Sequence, residues 1–238
     1  MKNQLFLNAG MMRMTYHFDE IQEEGVFYME NIRNIYCVGR NYVSHAKELK
    51  NDIPTSPFLF SKPTHALVET CGQEIHLPGD RGTIHYEVEL VVHIAKTYEK
   101  GMKVDELVDR MALGIDFTLR DVQSELKKKG YPWLLAKGFP NSAILTRFIE
   151  FPGIEKCQQF DFALWKKGEQ VQRGNIQDMI FDLQTIVDFC ALHFGLGKGD
   201  IIFTGTPEGV GPAVEGDHFA LKWGGNTLGE FSVSLKNK

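Results

Sequence analysis

Residues 84–92 read "IHYEVELVV" and place two carboxylates, Glu87 and Glu89, in a run that otherwise has the composition of a buried strand. The β-branched and apolar neighbours favour a strand over residues 84–95. Because side chains alternate between the two faces of a strand, His85, Glu87 and Glu89 are predicted to share one face. Two negative charges on one face repel each other unless water or a cation lies between them. This face is therefore either solvated or half of a metal site.

Composition limits the classes of function. The chain has 238 residues, 43% hydrophobic and 24% charged, which is ordinary for a soluble globular protein. Its net charge of -5 argues against a nucleic-acid-binding protein, which would normally be basic. The short basic run "KKK" at 127–129 is predicted to be the solvated face of a helix.

The cysteines and the apolar runs indicate a cytoplasmic protein. Cys37, Cys71, Cys157 and Cys190 lack the spacing of metal ligands, which predicts reduced thiols. No apolar run approaches the roughly 18 residues that a membrane helix needs, and the N-terminus lacks the apolar segment of a signal peptide. We therefore expect a cytoplasmic protein without a membrane partner.

The hydrophobic pattern predicts one α+β domain with more strand than helix over residues 34–238. Residues 1–33 are weakly patterned and are predicted to be a lead-in segment of uncertain structure. Strands are predicted at 34–38 and in "FLFSKP", and helices in "NYVSHAKELK" and at 182–194.

Two further stretches are predicted to be helical. The run "VDELVDRMALG" has helical spacing and ends near Gly114. Thr118 and Asp121 form a capping-box pattern, and Gly130 is a good helix stop, which together predict a helix between them.

Several common catalytic motifs are absent from the sequence. It contains no G-x-x-x-x-G-K-[ST] phosphate loop, no dinucleotide glycine spacing, no G-x-S-x-G and no H-E-x-x-H. Simple nucleotide-binding, serine-hydrolase and zinc-protease functions are therefore disfavoured.

Glu87, Glu89 and Asp116 are candidate metal ligands. Asp116 lies in "GIDFTLRD", where a strand is predicted to end and a helix to begin, and such ends commonly carry functional groups. Three carboxylates without a nearby cysteine form a hard-oxygen set that suits Mg²⁺, Mn²⁺ or Ca²⁺. Taken alone, E-x-E is also typical of an exposed strand face, and Asp116 of an N-cap or a turn.

His45, Glu48 and Lys137 are candidate catalytic residues. His45 and Glu48 lie at i and i+3 of a predicted helix, so the carboxylate can orient the imidazole, which then takes a proton from water. Lys137 lies among apolar residues in "WLLAKGFP" and must reach either solvent or an anion. The alternatives are an ordinary surface pair and a side chain that extends to solvent.

Arg40, Asn41 and Thr206 are candidate anion-binding residues. Arg40 and Asn41 follow Gly39 and either bind an anionic substrate or begin a helix. The turn-rich run "FTGTPEGVG" at 203–211 contains Thr206 and either binds a carboxylate or forms a tight hairpin.

The order of the motifs carries more information than any one of them. "GRNYVSHAKE", "FLFSKP", "HYEVEL", "GIDFTLRDVQ", "KKKGYPWLLAKGF" and "KGDIIFTGTPEGVGP" resemble, in this order, the fumarylacetoacetate hydrolase family over residues 34–236. Within this family the chain resembles the small single-domain members of the acylpyruvate hydrolase and oxaloacetate decarboxylase type. The resemblance implies a mixed β-roll or sandwich with a few short helices, one Mg²⁺ or Mn²⁺ per subunit, and a homodimer.

The resemblance also implies roles for single residues. Glu87, Glu89 and Asp116 match the metal ligands, and His45 and Glu48 match the water-activating pair. The positions that match contacts to the substrate or its enolate are Lys137, Gln123, Arg40, Asn41 and Thr206. After Lys137 the run "GFPNSAILTRF" departs from the family pattern, which affects the choice of substrate more than the metal site.

From this resemblance we expect a metal-dependent hydrolase that cleaves the C–C bond of acylpyruvates or fumarylpyruvate-like 2,4-dioxo acids through a pyruvate enolate. The alternatives are an oxaloacetate decarboxylase or tautomerase, and an isomerase or decarboxylase of unsaturated 2-oxo dicarboxylic acids. A protein that binds small acids without catalysis is the third possibility. The substrate in each case is a small 2-oxo acid.

Overall fold

The computed structural model describes residues 31–48 and 52–237. The strands within them are β1 (Ile35–Val38), β2 (Leu59–Lys62), β3 (Leu67–Glu69), β4 (Glu74–Pro78), β5 (Ile84–Tyr86), β6 (Val88–Ile94), β7 (Val108–Asp116), β8 (Thr118–Leu119), β9 (Ala143–Leu145), β10 (Ile149–Glu150), β11 (Phe162–Lys166), β12 (Glu169–Gly174), β13 (Ile201–Phe203), β14 (Gly211–Pro212), β15 (His218–Trp223) and β16 (Asn226–Lys236). The helices are α1 (Val43–Glu48), α2 (Val104–Leu107), α3 (Arg120–Lys129), α4 (Leu134–Lys137), α5 (Ile154–Cys157) and α6 (Leu183–Phe194), with short 3₁₀ turns at Thr64–Ala66 and Ile176–Asp178.

The strands of the described residues form three sheets. An eight-stranded mixed sheet has the order β2-β1-β13-β6-β7-β9-β3, with β10 paired to β7. A five-stranded sheet has the order β12-β11-β15-β16-β4, and a small sheet has the order β14-β5-β8. This strand-rich α+β architecture with a few short helices confirms the predicted fold class.

The main core lies between the eight-stranded and five-stranded sheets. Leu90 and Val92 of β6 pack there with Phe219 of β15. Val91 points to the opposite face of its sheet, where it joins a second buried cluster with Phe203. Because both faces of β6 are covered, its sequence is a nearly continuous apolar run rather than an alternating one.

The strand predicted over residues 84–95 is broken at Glu87. β5 pairs with β8 and β14 in the small sheet, whereas β6 pairs with β7 and β13 in the large one. The backbone N–H of Val88 bonds to the side chain of Gln172 at 2.9 Å instead of continuing a ladder. Glu87 is thus the single residue between two sheets.

Two local predictions were wrong. The run "VDELVDRMALG" forms one short helix, α2, and then strand β7, because residues 111–116 are buried between β6 and β9 in the large sheet. The capping box at Thr118 and Asp121 does not form. Thr118 lies in β8, and Asp121 accepts the backbone N–H of Thr83 at 2.8 Å.

Other predicted elements are confirmed. α6 starts after Asp182, whose carboxylate accepts the N–H of Thr185 at 2.8 Å, and α3 ends at Gly130 with φ 67°. The lead-in predicted at 1–33 lies outside the described residues except for 31–33. In the described part of the chain no helix is both long and apolar enough to cross a membrane.

Candidate active site

Three buried carboxylates converge at the point where the two sheets separate. Glu87 follows β5, Glu89 lies in β6, and Asp116 ends the neighbouring strand β7. Their exposed fractions are 5%, 2% and 0%. One carboxylate oxygen from each lies within 4.8 Å of the other two. Glu87 and Glu89 are thus directed at the same place, although Glu87 lies outside the regular strand that contains Glu89.

Two glycines bring the backbone close to Glu89. Gly114 is opposite Glu89 in the β6–β7 pair, and a Cβ there would lie 2.5 Å from the ring of Phe203. Gly205 has φ 103°, and its N–H donates to Glu89 Oε2 at 2.7 Å. A Cβ on Gly205 would lie 2.6 Å from the Cβ of Asn41. Both positions need glycine for close approach.

Two buried lysines contact the carboxylates. Lys137 Nζ lies 2.7 Å from Glu87 Oε2, 2.5 Å from Asp116 Oδ2 and 2.6 Å from Thr118 Oγ1. Lys62 Nζ lies 2.7 Å from Asp116 Oδ1. Burial alone lowers the pKa of Lys137, but the adjacent charges of Asp116 and Glu87 outweigh it, so its pKa is raised and the ammonium stays protonated.

Arg120 completes the set of cations around the carboxylates. Its Nη2 donates to Glu87 Oε1, and its Nη1 donates to Gln123 Oε1 at 2.8 Å. Burial alone raises the pKa of Glu87, but Lys137, Arg120 and His45 outweigh it and hold that pKa well below its usual range. Glu87 is therefore ionised throughout the physiological pH range.

Glu89 is in a different electrostatic position. Within the described residues its hydrogen-bond donor is the N–H of Gly205. Burial, and then the negative charges of Asp116 and Glu87, raise the pKa of Glu89 well above its usual range. A divalent cation between the three carboxylates would relieve this repulsion. The donor set is all oxygen and includes no thiol, so the residues present fit Mg²⁺ or Mn²⁺.

His45 lies in the same cleft as the carboxylates and is 4% exposed. Burial lowers its pKa, with Glu87 and Glu48 acting in the opposite direction, so the imidazole is neutral at neutral pH and can accept a proton. Its Nδ1 lies 3.5 Å from Glu48 Oε2, which is longer than a normal hydrogen bond. The Glu48 carboxylate instead accepts the N–H of Gly209 at 3.1 Å.

The cleft has two ends of different character. We call the buried group Glu87, Glu89, Asp116, Lys62, Lys137 and Arg120 the inner end, and the partly exposed group Arg40, Lys127 and Trp133 the outer end. At the outer end, Arg40 Cζ lies 5.5 Å from the ring centroid of Phe58, and Lys127 Nζ lies 5.0 Å from that of Trp133. Arg40 Nε is buried without a hydrogen-bond partner among the described residues.

The other residues predicted from the sequence fall into two groups. Gln123 and Thr206 line the cleft. Asn41 does not line it, because its buried amide donates to the carbonyls of Thr204 and Phe181 at 2.9 and 3.0 Å. This position favours a structural role for Asn41, and its predicted contact with the substrate has no support in the geometry.

Three cations of the cleft are not among the residues predicted from the sequence: Lys62, Arg120 and Lys127. Lys62 ends the apolar run "FLFSK", and a lysine in such a place needs an anion, as was argued for Lys137. Arg120 follows Asp116 within the same motif. Lys127 was assigned to a solvated face, which is wrong: Lys128 and Lys129 are exposed, but Lys127 faces the cleft.

Comparisons with known proteins show the family to which the chain is similar. The family model described as "Fumarylacetoacetate (FAA) hydrolase C-terminal" matches residues 34–233. Oxaloacetate tautomerase YcgM of Escherichia coli (strain K12) is 39% identical over 202 residues, 83% of this chain and 91% of that protein. The mitochondrial oxaloacetate decarboxylase of Dictyostelium discoideum is 38% identical over 79% of this chain and 88% of that protein. A crystal structure of fumarylpyruvate hydrolase from Pseudomonas aeruginosa in complex with Mn²⁺ and pyruvate has a TM-score of 0.79 and 35% identity, covering 86% of this chain and 91% of that one.

Proposed function

We propose that the chain, which belongs to the fumarylacetoacetate hydrolase family, is a divalent-metal-dependent enzyme that interconverts the keto and enol forms of oxaloacetate. The observation that carries this proposal is the pairing of a neutral imidazole, His45, with a protonated ammonium, Lys137, around one set of buried carboxylates. A proton shift between carbon and oxygen needs one group that accepts a proton and one that supplies it. The 39% identity to an oxaloacetate tautomerase supports the same assignment.

Glu87, Glu89 and Asp116 would hold one Mg²⁺ or Mn²⁺ per subunit. The bound ion would supply positive charge that polarises the 2-oxo group of the substrate. The relative from Pseudomonas aeruginosa, whose structure contains Mn²⁺ and pyruvate, supports this choice of metal and of ligand class.

The side chains of the cleft would move the proton. His45 takes a proton from C3 of the keto acid, and the electron pair of that C–H bond forms the C2–C3 double bond. The C2 oxygen gains negative charge and takes a proton from Lys137. His45 and Lys137 then exchange a proton with solvent, so no atom is gained or lost in the cycle. Lys137 enters this step protonated, because the charges of Asp116 and Glu87 raise its pKa.

Hydrolysis of acylpyruvates, the activity first expected from the sequence, is the second candidate. The closeness of Glu48 to His45 favours it, because a carboxylate near the imidazole would stabilise the cation formed when His45 takes a proton from water. The fumarylpyruvate hydrolase among the similar structures points the same way.

Decarboxylation of oxaloacetate needs the same inner end but no proton acceptor at His45. A homodimer and a cytoplasmic location stay predictions.

One set of assays separates the three reactions. Protein loaded with Mg²⁺ or Mn²⁺ is given oxaloacetate, and the ultraviolet absorbance of the enol and the pyruvate formed are followed together. A tautomerase accelerates the change in absorbance without releasing pyruvate, and a decarboxylase releases pyruvate. A hydrolase instead consumes acetylpyruvate and releases pyruvate from it. If none of these signals exceeds the rate with metal alone, the proposed activity is wrong.

Replacing His45 tests the proton acceptor. His45→Ala should lower the tautomerisation rate by about 10²–10⁴-fold, the usual contribution of a general base. His65→Ala, an exposed histidine outside the cleft, is the matched control and should leave the rate unchanged. Undiminished tautomerisation in the His45 variant would show that another group moves the proton.

A further inference from the structure

Lys127 differs from its two neighbours on α3. Lys128 and Lys129 are exposed, and Lys128 Nζ pairs with Glu125 Oε1 at 2.7 Å. Lys127 is partly buried, lines the cleft, and lies over the ring of Trp133. In the described part of the chain it forms no ion pair. A cation that faces a cleft without an acidic partner is available to a ligand.

The charges of the cleft indicate what that ligand is. The three carboxylates of the inner end are matched by three cations, Lys62, Lys137 and Arg120, each in contact with at least one of them. Arg40 and Lys127 at the outer end then add two positive charges, and a divalent ion at the carboxylates would add two more. A dianion therefore suits the cleft better than a monoanion, although the protein as a whole carries a net charge of -5.

We propose that Lys127, together with Arg40, binds the distal carboxylate of a dicarboxylic 2-oxo acid and thereby selects dicarboxylic over monocarboxylic substrates. This inference rests on the proposed function in one respect, namely that the reacting 2-oxo end lies at the carboxylates. Residues of both ends line the same cleft, so the proposal places the distal carboxylate at the outer end. Lys127 is a specificity residue in this proposal and takes no part in the proton transfer.

The surroundings of Lys127 support the proposal. Burial, and then the charges of Arg40 and Arg120, lower the pKa of Lys127 to about 8. A carboxylate placed between Lys127 and Arg40 would offset this repulsion between cations. The ring of Trp133 lies beneath the ammonium and restricts its position, and the buried Nε of Arg40 has a free donor for the same anion.

Packing of Lys127 on Trp133 for stability alone is the competing explanation. It makes a different prediction, because a loss of packing would affect every substrate equally. The test therefore compares oxaloacetate with its 4-methyl ester, which keeps the chelating 2-oxo acid and loses the distal charge.

The experiment measures kcat/KM for both compounds in the wild type, Lys127→Met, Lys127→Arg and the exposed control Lys129→Met. Lys127→Met should lower kcat/KM for oxaloacetate by about 10- to 100-fold, the usual effect of losing a charge-assisted hydrogen bond. The ester should be turned over equally well by the wild type and Lys127→Met. Lys127→Arg should keep most of the preference for oxaloacetate, and Lys129→Met should behave as the wild type. Equal losses for both compounds, or no loss for either, would overturn the proposal.

The same comparison can be made without turnover, which separates this inference from the proposed function. If the wild type converts neither compound, the proposed function fails, and calorimetric Kd values of the two compounds with Mn²⁺-loaded protein replace kcat/KM. A preference of the wild type for oxaloacetate that disappears in Lys127→Met then supports the role of Lys127. A preference that persists in that variant, or is absent from the wild type, rejects it.

Discussion

At the inner end of the cleft every cation touches a carboxylate, whereas at the outer end neither cation has an acidic partner within the described residues. The inner lysines are nearly inaccessible to solvent, and the outer cations lie on aromatic rings with part of their surface open. A buried charge that loses its partner is costly, whereas a partly exposed charge is stabilised by water. The inner end should therefore respond to substitution through both stability and chemistry, and the outer end through affinity alone.

The largest effect expected from this contrast is on stability. Lys62→Met removes the cation beside Asp116 and a donor to the carbonyls of Phe117 and Ser142, all of them buried. Breaking a buried pair in this way should lower the free energy of unfolding by about 3–5 kcal/mol. Denaturation in guanidinium chloride, followed by tryptophan fluorescence, measures the change, and the exposed Lys128→Met is the control. Equal unfolding midpoints for the two variants would show that the buried Lys62 contributes no more to stability than the exposed Lys128.

The next effect is on metal affinity and turnover. Glu87→Gln keeps the shape of the side chain but removes one anion from the three carboxylates, so Mn²⁺ should bind more weakly. The rate of tautomerisation should fall by about 10²–10³-fold, as when a group that stabilises developing charge is lost. Calorimetry with Mn²⁺ and the absorbance assay measure the two changes, with the exposed Glu74→Gln as control. Mn²⁺ binding equal to that of the wild type would place the metal elsewhere.

The smallest effect concerns pH at the outer end. Burial, and then the positive charges of Arg40, Arg120 and Lys137, lower the pKa of Lys127 to about 8, with Glu87 acting in the opposite direction. The ammonium is charged below that pH and loses its charge above it. Because kcat/KM reports ionisation of the free enzyme, kcat/KM for oxaloacetate should fall by about fivefold between pH 8 and pH 9.

The control for this pH profile is Lys127→Arg, whose guanidinium keeps its charge to about pH 12. The fall above pH 8 should disappear in this variant and should be absent for the 4-methyl ester in the wild type. A fall that is the same in both proteins and for both compounds would assign the ionisation to another group.

Local signals made Glu87, Glu89, Asp116 and Lys137 of the inner end candidates, and the resemblance to the family implied their roles. Glu87 and Glu89 interrupt an apolar run, and Lys137 lies among apolar residues, so each raises the question of what neutralises it. The hydrophobic pattern, and the family resemblance carried by the order of the motifs, then predicted the fold class. The approach of Asp116 to these residues, however, depends on the pairing of β6 with β7, which joins residues distant in the chain.

The errors have a common physical origin. Residues 108–116 have helical spacing but form β7, because burial on both faces gives a strand an apolar pattern that resembles a helix. Lys127 belongs to a run of three lysines, and only the packing of α3 shows which of them turns inward. Local composition could not supply either fact, since both depend on tertiary contacts.

The position of Glu87 between two sheets links the packing of the sheets to the binding of a cation. The adjacent Val88 N–H bonds to Gln172 of the five-stranded sheet, and the amide of Gln172 donates to Thr206 Oγ1 at 3.0 Å. Residues of all three sheets therefore meet beside Glu87, one of the proposed metal ligands. A substitution that weakens the contact of Val88 with Gln172 would therefore disturb cation binding at Glu87 without touching a ligand.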